Sequence, residues 1–533
     1  MQIRPYRDSD RDALRAGLNT DGNEDALHPV GSSEAGEVAV RLVAEVDGEI
    51  AGYIQSGSGV VQAEPVVNVL EMASVAVGTC LELSWLAVKP GLRRRGIGRQ
   101  LLRAAAVEAW ETGRQPVAVT GVRSDAVWVL RAEQWCEVGS FTGDSGEEHL
   151  VFLAPEPGRR QTEYVHSGVR AGEIGAVATG IEVSTTYTLR EPGQYGEFAY
   201  ARSQNPTRKA LEDALGRAEG GGRAMAFSSG LAAIDAVLRL LNPGESVLIG
   251  EDAYGGTWRL LDKVWKKHGI QTRIVNLRDP SAVEAGWDET VKMIMLETPS
   301  NPRMQVADIS ALAAITRGRG AVLVVDNTFA TPHLQRPLDL GADVVVHSAT
   351  KYLGGHSDVI AGALVTRRDD LASEFVFTQK AVGAVPGPFD SFLVLRGLRT
   401  LGVRVERQSS TAGKLAAMLA NHEQVERVHY PGLVSHEDHA VAARQMSGFG
   451  GMISIEVRGG AEAAKRVAMS TEVFALAESL GAVESLIEHP YSMTHAANND
   501  SKLVVPEGLL RLSIGLEEPW VLATDLHRAL SRA

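Results

Sequence analysis

Between Ser246 and Lys351 the chain repeats one pattern: a short apolar run, polar residues at its C-terminal end, then a helical stretch. Residues 246–250 lead into Glu251-Asp252-Ala253-Tyr254, and residues 292–296 into Glu297-Thr298-Pro299-Ser300-Asn301. Residues 322–325 close on Asp326-Asn327, and residues 343–347 run into Ser348-Ala349-Thr350-Lys351. Apolar runs of this length fit strands buried on both faces. Strands that alternate with helices fit a mainly parallel sheet covered on both sides, an α/β architecture. In such open sheets ligands bind beyond the C-terminal strand ends. The repeat therefore predicts that an aromatic ring, an amide, a carboxylate and a lysine gather at one edge.

Lys351 is the most constrained of these groups. It follows a strand, is flanked by the hydroxyls of Ser348 and Thr350, and enters a turn at Gly354-Gly355. A buried lysine amine is driven toward its neutral form, which attacks aldehydes and accepts protons. The upstream carboxylate Asp326 is suited to keeping a pyridine nitrogen protonated. Strand–Asp followed by strand–Ser-x-Thr-Lys is thus the order that pyridoxal phosphate (PLP) chemistry needs: Asp for the ring nitrogen, Lys for the aldehyde, hydroxyls for the phosphate. Small residues at Ser228-Ser229-Gly230-Leu231 open a helix and offer a further phosphate-ready N-terminus.

The chain has 533 residues, which suggests about three to four folding units. A net charge of -13 argues against a nucleic-acid surface, which needs clustered positive charge. The only two cysteines, Cys80 and Cys136, offer neither a disulfide framework nor metal-ligand spacing. No metal and no membrane partner is expected. The first residues lack a signal-like apolar core, so a cytoplasmic location is expected. Pro155-Glu156-Pro157-Gly158 punctuates the pattern, predicting a linker at 155–160 between a first body at 1–154 and a second beginning at 161. The second body divides into a sheet domain with an N-terminal arm (161–390) and a C-terminal α+β lobe (391–533), which opens on one long helix.

In the first body a strand at 3–5 precedes a helix near 9–18, and strands at 41–46 and 50–56 form a hairpin across Asp47-Gly48. A strand at 81–88 then feeds Arg93-Arg94-Arg95-Gly96-Ile97-Gly98 and a helix at 99–110. The glycines let backbone N–H groups approach an anion, the helix N-terminus adds partial positive charge, and a pyrophosphate is the natural guest. This stretch resembles the GNAT family of acetyl-CoA-dependent N-acetyltransferases over about residues 1 to 153. The resemblance implies that Arg93, Arg94, Gly96, Ile97 and Gly98 bind the CoA pyrophosphate and that the Leu86 and Val88 backbone pairs with the pantetheine arm. It also exposes a departure. Leu130, in Val129-Leu130-Arg131-Ala132-Glu133-Gln134-Trp135, stands where the family carries a tyrosine that protonates the leaving thiolate.

The second body resembles the Cys/Met-metabolism family of fold-type I PLP enzymes, which includes cystathionine γ-lyase, cystathionine γ-synthase and methionine γ-lyase. The motifs are Tyr200-Ala201-Arg202-Ser203-Gln204-Asn205-Pro206, Val385-Pro386-Gly387-Pro388 and Arg511-Leu512-Ser513-Ile514-Gly515, with the strand ends above. The resemblance implies that Lys351 binds the aldehyde and shuttles protons, Asp326 pairs with the ring nitrogen, Asn301 contacts the phenolic oxygen and Tyr254 stacks on the ring. Gly230, Leu231, Ser348 and Thr350 would take the phosphate. Tyr200 and Arg202 would reach the phosphate of a neighbouring subunit, which implies a homodimer or homotetramer with shared sites.

Arg511 would hold an amino acid's α-carboxylate with its planar fork. By the same resemblance Arg259 binds a distal carboxylate, Glu478 matches an acidic position of cystathionine enzymes, and Ser479 supports the lysine or the carboxylate. Tyr254 would assist departure of the γ-substituent. The expected activity is γ-elimination or γ-replacement on a sulfur-containing or O-acyl-homoserine-type L-amino acid, fused to an acetyl-CoA-dependent N-acetyltransferase-like domain. The alternative is a β-lyase or an O-acetylhomoserine sulfhydrylase beside a first body that binds CoA without turnover.

Overall fold

The computed structural model describes residues 2–5, 7, 41–46, 49–55, 80–83, 85–88, 97–111, 115–121, 130, 135–142, 147–153, 159–168, 176–495 and 503–533. The chain divides into two compact units, Met1–Arg159 and Arg160–Ala533.

In the first unit, strands β1 (Gln2–Pro5), β2 (Arg41–Val46), β3 (Glu49–Gln55) and β5 (Trp85–Val88) form one sheet in that order. Strands β4 (Cys80–Glu82), β6 (Gln115–Gly121), β7 (Cys136–Thr142) and β8 (Glu148–Leu153) form a second, ordered β4-β6-β8-β7. The helix Ile97–Glu111 buries Leu101, Leu102, Ala105 and Ala109, a helical stripe packed with Leu42, Ala44, Ile54 and Phe152. The single strand expected at 81–88 is two strands in different sheets. Leu83 is buried and its N–H still donates to Val117 O at 2.8 Å, so the chain leaves β6 only after Leu83 and then pairs with β3. The hairpin across 47–48 pairs as expected, while its turn residues, the helix near 9–18 and Arg93, Arg94 and Gly96 lie outside the described residues.

A helix at Arg159–Val165 begins at the division between the units, so Arg159 and Arg160 are helical where punctuation suggests a linker. The centre of the second unit is a seven-stranded sheet: β9 (Arg223–Phe227), β10 (Ser246–Gly250), β11 (Gln271–Val275), β12 (Val291–Glu297), β13 (Val322–Asp326), β14 (Val344–Ser348) and β15 (Gly362–Thr366), ordered β11-β10-β12-β13-β14-β15-β9. β15 runs antiparallel to both its neighbours and the other pairs are parallel. Alternate residues bury on opposite faces. Val247, Ile249, Val324, Val344 and Val346 pack under the helix Gly230–Leu238, and Leu248, Ile294, Leu323 and Val325 pack on the helix Ile309–Gly318. Both faces are covered, as the uninterrupted apolar runs require.

The C-terminal lobe is a five-stranded sheet, β16 (Val425–His429), β17 (Met452–Val457), β18 (Ala475–Leu476), β19 (Leu486–Glu488) and β20 (Leu509–Ser513), ordered β16-β17-β20-β19-β18. Where one long helix was expected there are two, Pro388–Leu398 and Leu401–Leu419. Arg404 sits at the break: its guanidinium donates to Gly397 O at 2.7 Å, a carbonyl that a continuous helix would have used, and to Tyr352 O at 2.9 Å in the turn after Lys351. A Cβ on Gly397 would meet Gly354 O at 2.1 Å, so only glycine lets this helix lie against the turn that follows Lys351. No described helix is long and apolar enough to cross a membrane.

Candidate active site

Parallel register brings the polar strand ends together. Glu297 at the end of β12 faces Asp326 at the end of β13, and Asp326 lies beside Val346 of β14, five residues before Lys351. Thr328 ties the next turn together: its N–H donates to Asp326 Oδ1 at 3.0 Å and its Oγ1 accepts from Ser348 N at 2.8 Å. Burial pushes the Asp326 carboxyl up, opposed by its bonds to Thr328 and the charge of His347. Burial and then Asp326 push the Glu297 carboxyl well above the usual carboxylate range. Glu297 Oε2 accepts from the Tyr254 N–H at 2.9 Å, which fixes the start of the helix Gly255–Lys263 and so the tyrosine beside it.

Lys351 Nζ donates to Ser479 Oγ at 2.7 Å. Its pKa falls from 10.5 to about 8, first through burial and then through the nearby Arg511 charge, against the opposing pull of Glu488 and Glu478. Ser479 is one of four non-glycine residues at positive φ among the described residues, at φ 85°, a strained conformation that aims its hydroxyl at the lysine and its carbonyl at Arg511. Arg511 is buried on β20. Its guanidinium donates to Asn301 Oδ1 at 2.9 Å and Ser479 O at 2.9 Å, and pairs with Glu488 at 2.8 Å. Lys351, Ser479, Arg511 and Asn301 thus form one bonded group drawn from both sheets.

On the other side of Ser348 lies the start of the helix Gly230–Leu238, capped by Ser229, whose side chain accepts from Ala232 N at 3.1 Å. A Cβ on Gly230 would sit 2.9 Å from Ser348 Cβ and 3.1 Å from its Oγ, so glycine is what lets the helix N-terminus approach the hydroxyl. Leu231 follows on the exposed side. The Thr350 hydroxyl exchanges hydrogen bonds with the Ala361 backbone, both at 3.1 Å, and holds the loop. Burial raises the Tyr254 phenol above its ordinary value, opposed by the charge of Arg259. Arg259 and Glu478 are both exposed, and Glu478 acts on Lys351 and Tyr254 through its charge. Tyr200 and Arg202 stand on the extended arm, the guanidinium 5.4 Å from the tyrosine ring centre and bonded to Lys380 O at 2.6 Å.

The site also contains residues that sequence reasoning missed. Glu488 sits opposite Arg511 in the β19–β20 ladder, and His495 packs edge-on against Tyr254. A signal existed for Glu488, an acid ending the apolar run Leu486-Ile487. Among the described residues no cluster of His, Cys, Asp and Glu could hold a metal ion.

In the first unit, β5 is the last strand of its sheet among the described residues, which bears on Leu86 and Val88, and Ile97 and Gly98 open the helix. Leu130, at the position of the missing tyrosine, is buried with Trp135 in the apolar core, and Trp135 N donates to its carbonyl at 2.9 Å.

Comparison with known proteins agrees with this architecture. Residues 11–127 match the GNAT acetyltransferase family, and residues 161–531 match the family described as Cys/Met metabolism PLP-dependent enzyme. Cystathionine gamma-synthase from Mycobacterium tuberculosis is 52% identical over 372 residues, covering 69% of this chain and 96% of that protein. Cystathionine beta-lyase from Lactococcus lactis is 48% identical over 376 residues, covering 70% and 99%. The crystal structure of cystathionine gamma synthase from Xanthomonas oryzae, in complex with aminoacrylate and cysteine, superposes with a TM-score of 0.68 at 42% identity, covering 70% of this chain and 98% of that one. With a GNAT acetyltransferase domain ahead of it, the fold-type I unit that carries Lys351, Asp326 and Arg511 makes this chain a member of the Cys/Met metabolism PLP-dependent enzyme family.

Proposed function

We propose that residues 161–533 catalyse γ-replacement or γ-elimination on a sulfur-containing or O-acyl-homoserine-type L-amino acid, as cystathionine γ-synthases and γ-lyases do. The observation that carries this reading is the bonded group of Lys351, Ser479, Arg511 and Asn301, a low-pKa amine beside a buried guanidinium. Identity of 52% to a cystathionine gamma-synthase supports it.

The residues fit pyridoxal phosphate. The space that a Cβ on Gly230 would fill, the Ser348 hydroxyl and the helix N-terminus make an anion cradle, and Thr350 shapes its loop. Asp326, whose carboxyl burial pushes up, is the partner for a pyridinium N–H, since an opposite charge would bring that carboxyl back down. Asn301 would meet the phenolic oxygen and Tyr254 the ring face. When bound, the cofactor supplies an electron sink for charge developing on the substrate. The protein's part is positional and protonic. Arg511 holds the α-carboxylate by charge-assisted hydrogen bonds. Lys351, neutral for a useful fraction of molecules near pH 8, takes the Cα proton and then serves at Cβ. The Tyr254 hydroxyl, kept protonated by burial, donates to the departing γ-group. Arg259 and Glu478, exposed near Tyr254 and Lys351, would read the distal end of the substrate.

For the first unit we propose acetyl-CoA binding at Leu86, Val88 and the 93–98 loop. The place of β5 as the last strand of its sheet among the described residues supports pairing with an extended ligand. The buried Leu130 supports a binding role without efficient turnover, because it carries no acidic hydroxyl. The exposed arm with Tyr200 and Arg202 fits a homodimer or homotetramer in which each copy completes another's phosphate site. A second reading, β-elimination from cystathionine, is favoured by the 48% identical cystathionine beta-lyase.

Product analysis separates these readings. The γ-reading expects cystathionine from O-acylhomoserine plus cysteine, or 2-oxobutyrate and cysteine from cystathionine. Homocysteine and pyruvate from cystathionine would replace it by the β-reading. Repeating each assay with acetyl-CoA, and following CoA release with amines present, tests the first unit.

A further inference from the structure

Arg511 forms an ion pair with Glu488, and Glu488 is bonded onward. The pair is fully buried, with side chains 3% and 1% exposed. While one Glu488 oxygen faces the guanidinium, the other accepts from Thr494 Oγ1 at 2.7 Å. Thr494 Oγ1 also lies 2.9 Å from His495 Nδ1. Because the threonine proton is committed to the carboxylate, the same oxygen accepts from His495 Nδ1–H, which fixes the imidazole tautomer. His495 Nε2 is buried without a hydrogen bond among the described residues, so the bond from Nδ1 to Thr494 is the side-chain link that orients this ring. The ring then meets Tyr254 edge-on, centroids 6.4 Å apart and planes at 76°. Burial and the Arg511 charge depress its pKa to about 4, so the ring is neutral at working pH.

A continuous path of contacts therefore runs from the carboxylate-binding guanidinium to the tyrosine that faces the leaving group: Arg511, Glu488, Thr494, His495, Tyr254. We propose that Glu488, Thr494 and His495 are positioning residues that couple α-carboxylate capture at Arg511 to the setting of the Tyr254 ring. The proposal rests on the roles given above to Arg511 and Tyr254 and adds the link between them. A substrate carboxylate on Arg511 competes with Glu488 for the guanidinium. Glu488 then leans on Thr494, the hydroxyl shifts, and the imidazole edge turns the phenol with it. Substrates lacking the α-carboxylate leave Tyr254 in its resting pose. Departure of the γ-group is thereby reserved for amino acids seated by their carboxylate.

The test uses the full-length holoenzyme with propionate, a carboxylate with no amine to react. Propionate binding is followed by calorimetry, and the tyrosine ring by ultraviolet difference spectroscopy, with Y254F marking which signal belongs to Tyr254. Wild type should give a Tyr254 signal on binding. T494V should bind propionate within about twofold of wild type yet lose that signal, with kcat lowered about tenfold or more by the misplaced phenol. T494S, which restores the hydroxyl, should recover signal and kcat. An undiminished Tyr254 signal in T494V, or a T494S variant as impaired as T494V, would overturn the coupling. Failure of the underlying reading looks different: Y254F would keep wild-type kcat, or R511K would leave propionate binding unchanged.

Discussion

The hydroxyl of Ser479 accepts from Lys351 Nζ at 2.7 Å while the Ser479 carbonyl accepts from Arg511 at 2.9 Å, so one strained residue aligns the amine with the guanidinium. Its backbone, at φ 85°, sits where glycine is at ease and serine costs on the order of 1 kcal/mol. Two substitutions separate strain from function. Ser479→Ala keeps the strain and loses the hydroxyl; Ser479→Gly loses both. Each should lower kcat by about tenfold to a hundredfold, because the amine loses its anchor. Thermal melts should place Ser479→Gly above Ser479→Ala by about 1 kcal/mol of stability. Equal melting of the two would show that the backbone there is unstrained.

The low Lys351 pKa has a sign that can be followed. Burial and Arg511 favour the neutral amine, and Glu488 favours the charged one. In cofactor-stripped protein, labelling of Lys351 by an amine-directed reagent should therefore rise with pH about a midpoint near 8 rather than near 10.5. Glu488→Gln removes a stabilising anion and should move that midpoint down. Arg511→Met removes a repelling cation and should move it up. Peptide-resolved labelling across pH measures all three.

Glu488 and Arg511 also form a buried ion pair, and breaking one is more costly than replacing both. Glu488→Ala leaves a guanidinium uncompensated and should cost about 3–5 kcal/mol. The double variant Glu488→Leu with Arg511→Met should recover much of that stability while remaining inactive. Denaturant titration of the single and double variants gives the comparison. A single variant as stable as wild type would mean that the pair is not desolvated as described.

Much of this site was legible in the sequence for a physical reason. Parallel strands must be buried on both faces, so their apolar runs stand out, and the polar residues that follow each run mark the ligand edge. Tyr254, Asn301, Asp326 and Lys351 were found in this way, and register then placed Glu297 beside Asp326. Glu488 and His495 were not found, because their roles arise from contacts with Arg511 on another strand and with Tyr254 in the other sheet domain. The break between Pro388–Leu398 and Leu401–Leu419 was missed for the same reason: it is marked by the bond from Arg404 to Gly397 O rather than by a proline. In the first unit, the strand expected at 81–88 divides because Leu83 is held to β6 by a backbone bond that periodicity does not reveal.

The anion cradle makes a further prediction. Gly230→Ala would bring a Cβ to 2.9 Å from Ser348 Cβ and 3.0 Å from its Cα, forcing the helix N-terminus away from the hydroxyl. Affinity for pyridoxal phosphate should fall by about tenfold or more, since helix-terminal N–H groups hold an anion only at close range. Fluorescence titration of cofactor into stripped protein measures it, and the overall melt of the stripped protein should change little. Unaltered affinity would place the phosphate elsewhere.

We propose that Lys351 carries the cofactor. Borohydride reduction of the holoenzyme, digestion and peptide mass mapping test it directly. A pyridoxyl group on the peptide containing Lys351, absent in Lys351→Ala, is the predicted result. A pyridoxyl group on any other lysine, or an equal yield from Lys351→Ala, would mean that Lys351 does not hold the cofactor.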